Sequence, residues 1–386
     1  MSGRKHRLKS RWLTVGLSLV MILVVLIATK QIVYDPSPNP AISMGTTPST
    51  ARPSLPLPAG FTLQDKIGQL LVVGVTSQAS AETLEQQYQI GGFLLRPDSD
   101  LFSKTATEAI KQTGLISPLL VVDEEGGEVS RLPATDFSLD SAAYLGTQSD
   151  SQVEQVAHQM GQAMVAIGAN VDFAPVADLD NGQNTAISAL DRSFSSDPAV
   201  VAEKAQVFAT GLRQAGVVPT FKHFPGLGNA TGPTGGNTDS GPAYAPSLHT
   251  LEQHDLLPYH SLLAYNPLSA VMVGNQIVPG LTAGLPASMS PNAYRLLRGA
   301  YSFQGVVFTD ELLQAQAIVD AESSPAAAVL AALKAGADMP LVNTDDPATV
   351  HEIITTVTAA VQNHSLSMAR LNNALQHVLT LKAALK

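Results

Sequence analysis

The chain has 386 residues, a formal net charge of −10 and no cysteine. Its 32 Asp and Glu against 22 Lys and Arg argue against nucleic acid as a partner. The missing thiols exclude disulfides, a cysteine nucleophile, zinc–thiolate sites and a lipid-modified N-terminal cysteine.

The first eleven residues carry Arg4, Lys5, Arg7, Lys9 and Arg11 and no acid. An uncharged apolar run of 18 residues follows, from Trp12 to Thr29, just long enough to cross a bilayer as a helix. The basic flank predicts a cytoplasmic segment over 1–11, a transmembrane signal-anchor over 12–33 and an extracytoplasmic remainder, in a single-pass protein of the cell membrane. Secretion after signal cleavage is the other reading, but Ile27-Ala28-Thr29-Lys30-Gln31 is a poor cleavage site. Residues 34–60 read as a semi-rigid linker, because Asp35 to Gly60 carries seven prolines among Ser and Thr. Residues 61–386 then form a single domain.

From Leu63 onward short apolar runs alternate with helical patterns. The strand candidates are Leu70–Val75, Gly92–Leu95, Leu119–Val122, Val171–Ala174, Val217–Phe221, Ala270–Val273, Val306–Thr309 and Met339–Val342. Helical patterns include Gln152–Ile167, Ala199–Ala215, Leu251–Leu263 and Pro325–Ala335, with Pro347–Asn363 and Ser367–Ala384 closing the chain. Such alternation indicates parallel βαβ units, and eight of them fit an α/β fold of the (β/α)8 TIM-barrel type. A doubly wound open sheet is the alternative. It leaves the charged groups at several strand ends without a reason, whereas a barrel gathers them at its C-terminal face.

Three apolar strands end in charge. Val121-Val122 runs into Asp123-Glu124-Glu125-Gly126-Gly127, with Arg131 beyond. Val217–Phe221 runs into Lys222-His223-Phe224-Pro225-Gly226, and Val306–Thr309 into Asp310-Glu311. From the residues alone, Asp310 reads more naturally as the cap of a following helix than as a nucleophilic carboxylate. Asp123 and Arg131 read as hydroxyl-binding groups or as an ion pair that holds a loop. The other histidines show no ligand-like spacing, so no metal is expected at His223.

Together these segments resemble glycoside hydrolase family 3, most closely its single-domain β-N-acetylhexosaminidase branch, from about Leu63 to the C-terminus. The resemblance implies retaining hydrolysis of a terminal β-linked N-acetylglucosamine, with peptidoglycan-derived glycans as the source. Asp310 would be the nucleophile, and Asp123, Arg131, Arg192, Lys222 and His223 would bind the sugar; Asp178, after the fourth strand, reads either as orienting neighbours or as purely structural. Neither a cofactor nor a metal is implied. The partners are a carbohydrate and, through the N-terminal helix, a membrane, and the protein is expected to be a monomer.

The resemblance departs at one place. In this branch the general acid/base is a His on the loop after the Lys-His strand, paired with an Asp two residues before it. Here Asp239-Ser240 is followed by Gly241, Leu227 replaces the loop's earlier His, and residues 228–241 hold no His at all. A positioned acid is worth about 10²–10⁴ in rate. Three outcomes stand open: Asp239 is the acid, another carboxylate enters as the loop closes, or the protein binds sugars without cleaving them. A related β-glycosidase for another sugar is a further reading. Those enzymes usually take their acid from an added C-terminal domain, and only about 76 residues follow Asp310.

Overall fold

The computed structural model describes residues 54–385, apart from 134–136, 184, 266 and 267. The anticipated segments 1–11 and 12–33 and most of the linker lie outside the described residues. Among those described, no helix is long and apolar enough to cross a membrane. The end of the linker touches the body, where the Leu55 N–H donates to Leu379 O at 3.2 Å.

Eight parallel strands close into a barrel: β1 Val72–Val75, β2 Gly92–Leu95, β3 Leu119–Val122, β4 Val171–Asp172, β5 Val218–Phe224, β6 Ala270–Val273, β7 Val307–Glu311 and β8 Met339–Val342. Closure comes from β1 pairing with β8, Val72 opposite Leu341 and Val73 opposite Val342. Helices cover the outer face and side chains fill the interior, so the strands are buried on both faces and read as unbroken apolar runs. Inside the barrel the Phe173 and Phe308 rings meet edge-on at 5.1 Å. The helices start where local chemistry starts them. Ser149 caps Asp150–Ala166 in a reciprocal box with Gln152, and Asp197 and Asp346 cap helices whose first residues are Pro198 and Pro347.

Several boundaries shift by a residue or two, β1 starting at Val72 rather than Leu70, and four elements differ for a physical reason. β4 stops at Asp172, and Pro175 has no N–H with which to continue the ladder. β5 runs on through Lys222 and His223 to Phe224, because ladder hydrogen bonds do not depend on side-chain polarity. β7 likewise includes Asp310, and the next helix begins only at Gln316, so Asp310 caps nothing. The long helix expected over Leu251–Leu263 is two, Leu248–Gln253 and Leu257–Tyr265. Pro258 sits near the start of the second, where its missing N–H is not needed.

Candidate active site

The loop after β3 is organised by a carboxylate. Gly126 and Gly127 adopt φ of +81° and +61°, which turns the chain back. The buried Glu124 then accepts hydrogen bonds from Gly126 N (3.0 Å), Arg131 N (2.7 Å), Leu132 N (2.9 Å) and Ser130 Oγ (3.1 Å). Burial pushes its carboxyl up, and these donors oppose the shift. Glu124 is thus the internal clamp of the loop that carries Arg131.

Beside it, four charges form one network, buried except at the partly exposed Asp123. Lys222 Nζ lies 2.5 Å from Asp123 Oδ1 and 2.6 Å from Glu125 Oε1. The Arg192 guanidinium grips Glu125 through two bonds, Nε and Nη2 each at 2.7 Å. Burial would raise Glu125, but Arg192 and Lys222 overcome it and hold its carboxyl well below the usual range. Burial likewise works against Lys222 and Arg192, yet their acidic neighbours leave both raised and cationic. Two cations facing two carboxylates make the network neutral overall, the condition under which buried charge is tolerable. Arg131 stands outside it; its Nη1 donates to Ser130 O at 3.0 Å, and no described carboxylate pairs with it.

His223, next along β5, is fixed by Asp178. One Asp178 oxygen accepts from His223 N (3.2 Å) and faces the ring Nδ1 at 2.7 Å, and the other accepts from Leu227 N at 2.6 Å. With Nδ1 donating to this acceptor, Nε2 is the atom left for a ligand. At the end of β7, Asp310 Oδ1 accepts the Glu311 N–H at 2.8 Å. The Glu311 carboxylate is occupied by the N–H groups of Leu313, Gln314 and Asn343, tying the exits of β7 and β8 together.

The loop 228–241 folds over the mouth on a small core of its own, formed by Val176, Ile187, Leu227, Ala230 and Ala243. Asn229 Nδ2 donates to the buried Asp255 at 2.9 Å, Thr238 O accepts from Gln316 N at 3.2 Å, and Gly235 O accepts from Ala186 N at 3.2 Å. Asp239 is held by its own N–H, which donates to Asn237 Oδ1 at 2.9 Å. At Gly241 a Cβ would fall 2.8 Å from Thr234 Oγ1, so a side chain there would push Thr234 aside.

Seven of the residues singled out by sequence, Asp123, Arg131, Arg192, Lys222, His223, Asp239 and Asp310, line one cavity of about 540 Å³, while Asp178 stands behind His223. Phe173, Met272 and Leu341 line its apolar part, and Arg96, Asp98, Gln314 and Asn343 join the polar lining. Sequence reasoning gave Glu125 no role, although two nearby buried cations demand an acid. It also passed over Arg96 and Asp98, which carry the same signal as the others: charge directly after an apolar strand. No cluster of three or more metal-ligating side chains occurs among the described residues.

Chemically, the cavity combines a strand-end carboxylate with a wall of fixed hydrogen-bond donors and acceptors. That combination suits a polyhydroxylated ligand whose ring must be held while one atom reacts. Comparison with known proteins agrees. Residues 62–381 match the Glycosyl hydrolase family 3 N terminal domain. The chain is 37% identical over 356 residues to β-hexosaminidase LpqI of Mycobacterium tuberculosis, covering 90% of this chain and 89% of the relative. A glycosyl hydrolase of this family from Mycobacterium smegmatis superposes with a TM-score of 0.78 at 40% identity, over 84% of this chain and 97% of the other. A β-N-acetylhexosaminidase from Beutenbergia cavernae gives 0.77 at 27% identity, over 84% and 100%. With barrel, strand-end chemistry and relatives in accord, the chain belongs to glycosyl hydrolase family 3.

Proposed function

We propose that this protein is a retaining β-N-acetylhexosaminidase that removes terminal β-linked N-acetylglucosamine from cell-wall glycans. The observation that carries the reading is the position of Asp310. It sits near the C-terminal end of β7, one residue before Glu311, in the same cavity as the Asp123–Lys222 pair, with the Glu125–Arg192 pair behind them. The Asp310 carboxylate attacks the anomeric carbon, and water later hydrolyses the resulting ester with net retention. Asp123 accepts sugar hydroxyl protons, Lys222 and His223 donate to ring hydroxyls, and Arg131 and Arg192 present guanidinium N–H groups to hydroxyl or acetamido oxygens. The printed names of the relatives support the sugar class. The basic cluster and apolar run at the N-terminus support a membrane-held enzyme working outside the cytoplasm.

Asp310→Ala should abolish turnover of an aryl β-N-acetylglucosaminide while calorimetry still detects N-acetylglucosamine. Unchanged turnover in that variant would remove the nucleophile assignment. Gly241 favours a second reading, a sugar-binding protein of the same fold that does not hydrolyse. It predicts binding without turnover even of an activated aryl glycoside.

A further inference from the structure

We propose that the Asp239 carboxyl is itself the general acid and base of this enzyme, acting on the glycosidic oxygen with no imidazole in between. The inference rests on the reading of the cavity as a retaining glycosidase site and assigns the group that reading leaves open. It follows from what the other titratable groups of the cavity are already doing. Asp310 is the nucleophile. Asp123 is bound to Lys222 at 2.5 Å. Glu311 spends its oxygens on three backbone N–H groups. Asp98 is largely exposed and pairs with Arg96 at 3.4 Å. His223 is buried in the β5 wall with its Nδ1 committed to Asp178. That leaves Asp239, whose carboxylate accepts no hydrogen bond from any described residue, while its backbone is pinned by Asn237.

Two further observations support a direct role. The loop is seated on its own apolar cluster and tied to Gln316 and Ala186, so Asp239 already lines the cavity with Asp310. Position 241 is a glycine packed against Thr234, so it carries no side chain to relay a proton from Asp239. Partial withdrawal from water and the charge of Asp310 push the Asp239 carboxyl up, against the opposing pull of His223 and Arg192. A general acid requires a shift in this direction, because it must be protonated when the substrate arrives.

The steps balance. In the first, an Asp310 oxygen bonds to the anomeric carbon, the C–O bond breaks, and the departing oxygen takes the Asp239 proton. In the second, the Asp239 carboxylate removes a proton from water as its oxygen attacks the same carbon, and the Asp310 carboxylate is released.

The test uses Asp239→Ala and Asp239→Asn in the full chain, with two aryl β-N-acetylglucosaminides. One has a leaving group that departs without a proton, and the other requires one. The poor substrate should lose about 10²–10⁴ in kcat/KM. The activated substrate should keep its kcat/KM but lose kcat, because the base that activates water is gone. Azide, a nucleophile with no proton to lose, should restore that kcat and yield the β-glycosyl azide. The high-pH fall in wild-type kcat/KM for the poor substrate should disappear. Equal losses on both substrates without azide rescue would mean that Asp239 only shapes the loop, and would overturn the proposal. So would a wild-type enzyme that turns over the activated substrate alone, since no acid would then exist. Failure of the glycosidase reading looks different: wild type would turn over neither substrate. Thermal midpoints of both variants should match wild type, because Asp239 is exposed at the cavity mouth.

Discussion

Position 241 shows how one residue can set the chemistry of a loop. A His side chain there begins with a Cβ 2.8 Å from Thr234 Oγ1, a contact that forces one of the two to move. Gly241→His should therefore destabilise by about 1–3 kcal/mol, the ordinary cost of overpacking. Thr234→Ala in the same chain should recover most of it, and urea unfolding of the single and double variants measures both. If Gly241→His costs nothing alone, the loop is not built around that glycine. At this scale much of the site was legible in sequence, because Lys222, His223, Asp123 and Asp310 each follow an apolar strand. Glu125 was not. Its partner Arg192 lies 67 residues away, and nothing local signals that the two will meet.

Elements were legible wherever polarity and hydrogen bonding change together. β2, β3, β6 and β8 match the apolar runs residue for residue, whereas β5 and β7 continue into polar residues that still hold the ladder. Helix packing at the opposite end of the domain from the cavity shows what a helical pattern alone hides. Glu85, on the helix Gln78–Tyr88, is fully buried and neither carboxyl oxygen has a described hydrogen-bond partner. Burial pushes it up to about 8, opposed by Lys382. Lys382, on Met368–Ala384, donates to Gln69 at 2.7 Å, and burial lowers it to about 7. The signs then differ. Between the ordinary carboxyl pKa near 4.5 and about 8, folded Glu85 holds a proton that the unfolded chain has released, so stability falls as pH rises. Lys382 acts oppositely, and only above about 7. From pH 5 to 7 Lys382 therefore does not offset the Glu85 effect, which is up to about 1.4 kcal/mol per pH unit and adds to that of other raised carboxyls, among them Glu124, Asp172 and Glu311. Glu85→Gln should make the fall in thermal midpoint over that range shallower than in wild type. Parallel slopes would mean that Glu85 ionises in the folded protein as it does in water.

For the molecule as a whole, eight repeats of strand and helix were enough to anticipate a barrel, while the β1–β8 pairing that closes it joins opposite ends of the domain and leaves no local trace. The proposed membrane attachment also belongs to this scale. The full chain should sediment with membranes and resist release by high salt, while residues 54–386 should remain in the supernatant with unchanged turnover. Recovery of the full chain in the soluble fraction would sink the anchor. The seated loop has one more consequence. Where a lid must fold down after a ligand arrives, observed binding rates level off at the speed of closure, and a slow phase follows the encounter. Here the cluster of Val176, Ile187, Leu227, Ala230 and Ala243 holds the lid down before any ligand comes. Association should then be a single collision through an opening that already exists, with observed rates rising in proportion to sugar concentration and without a slow phase.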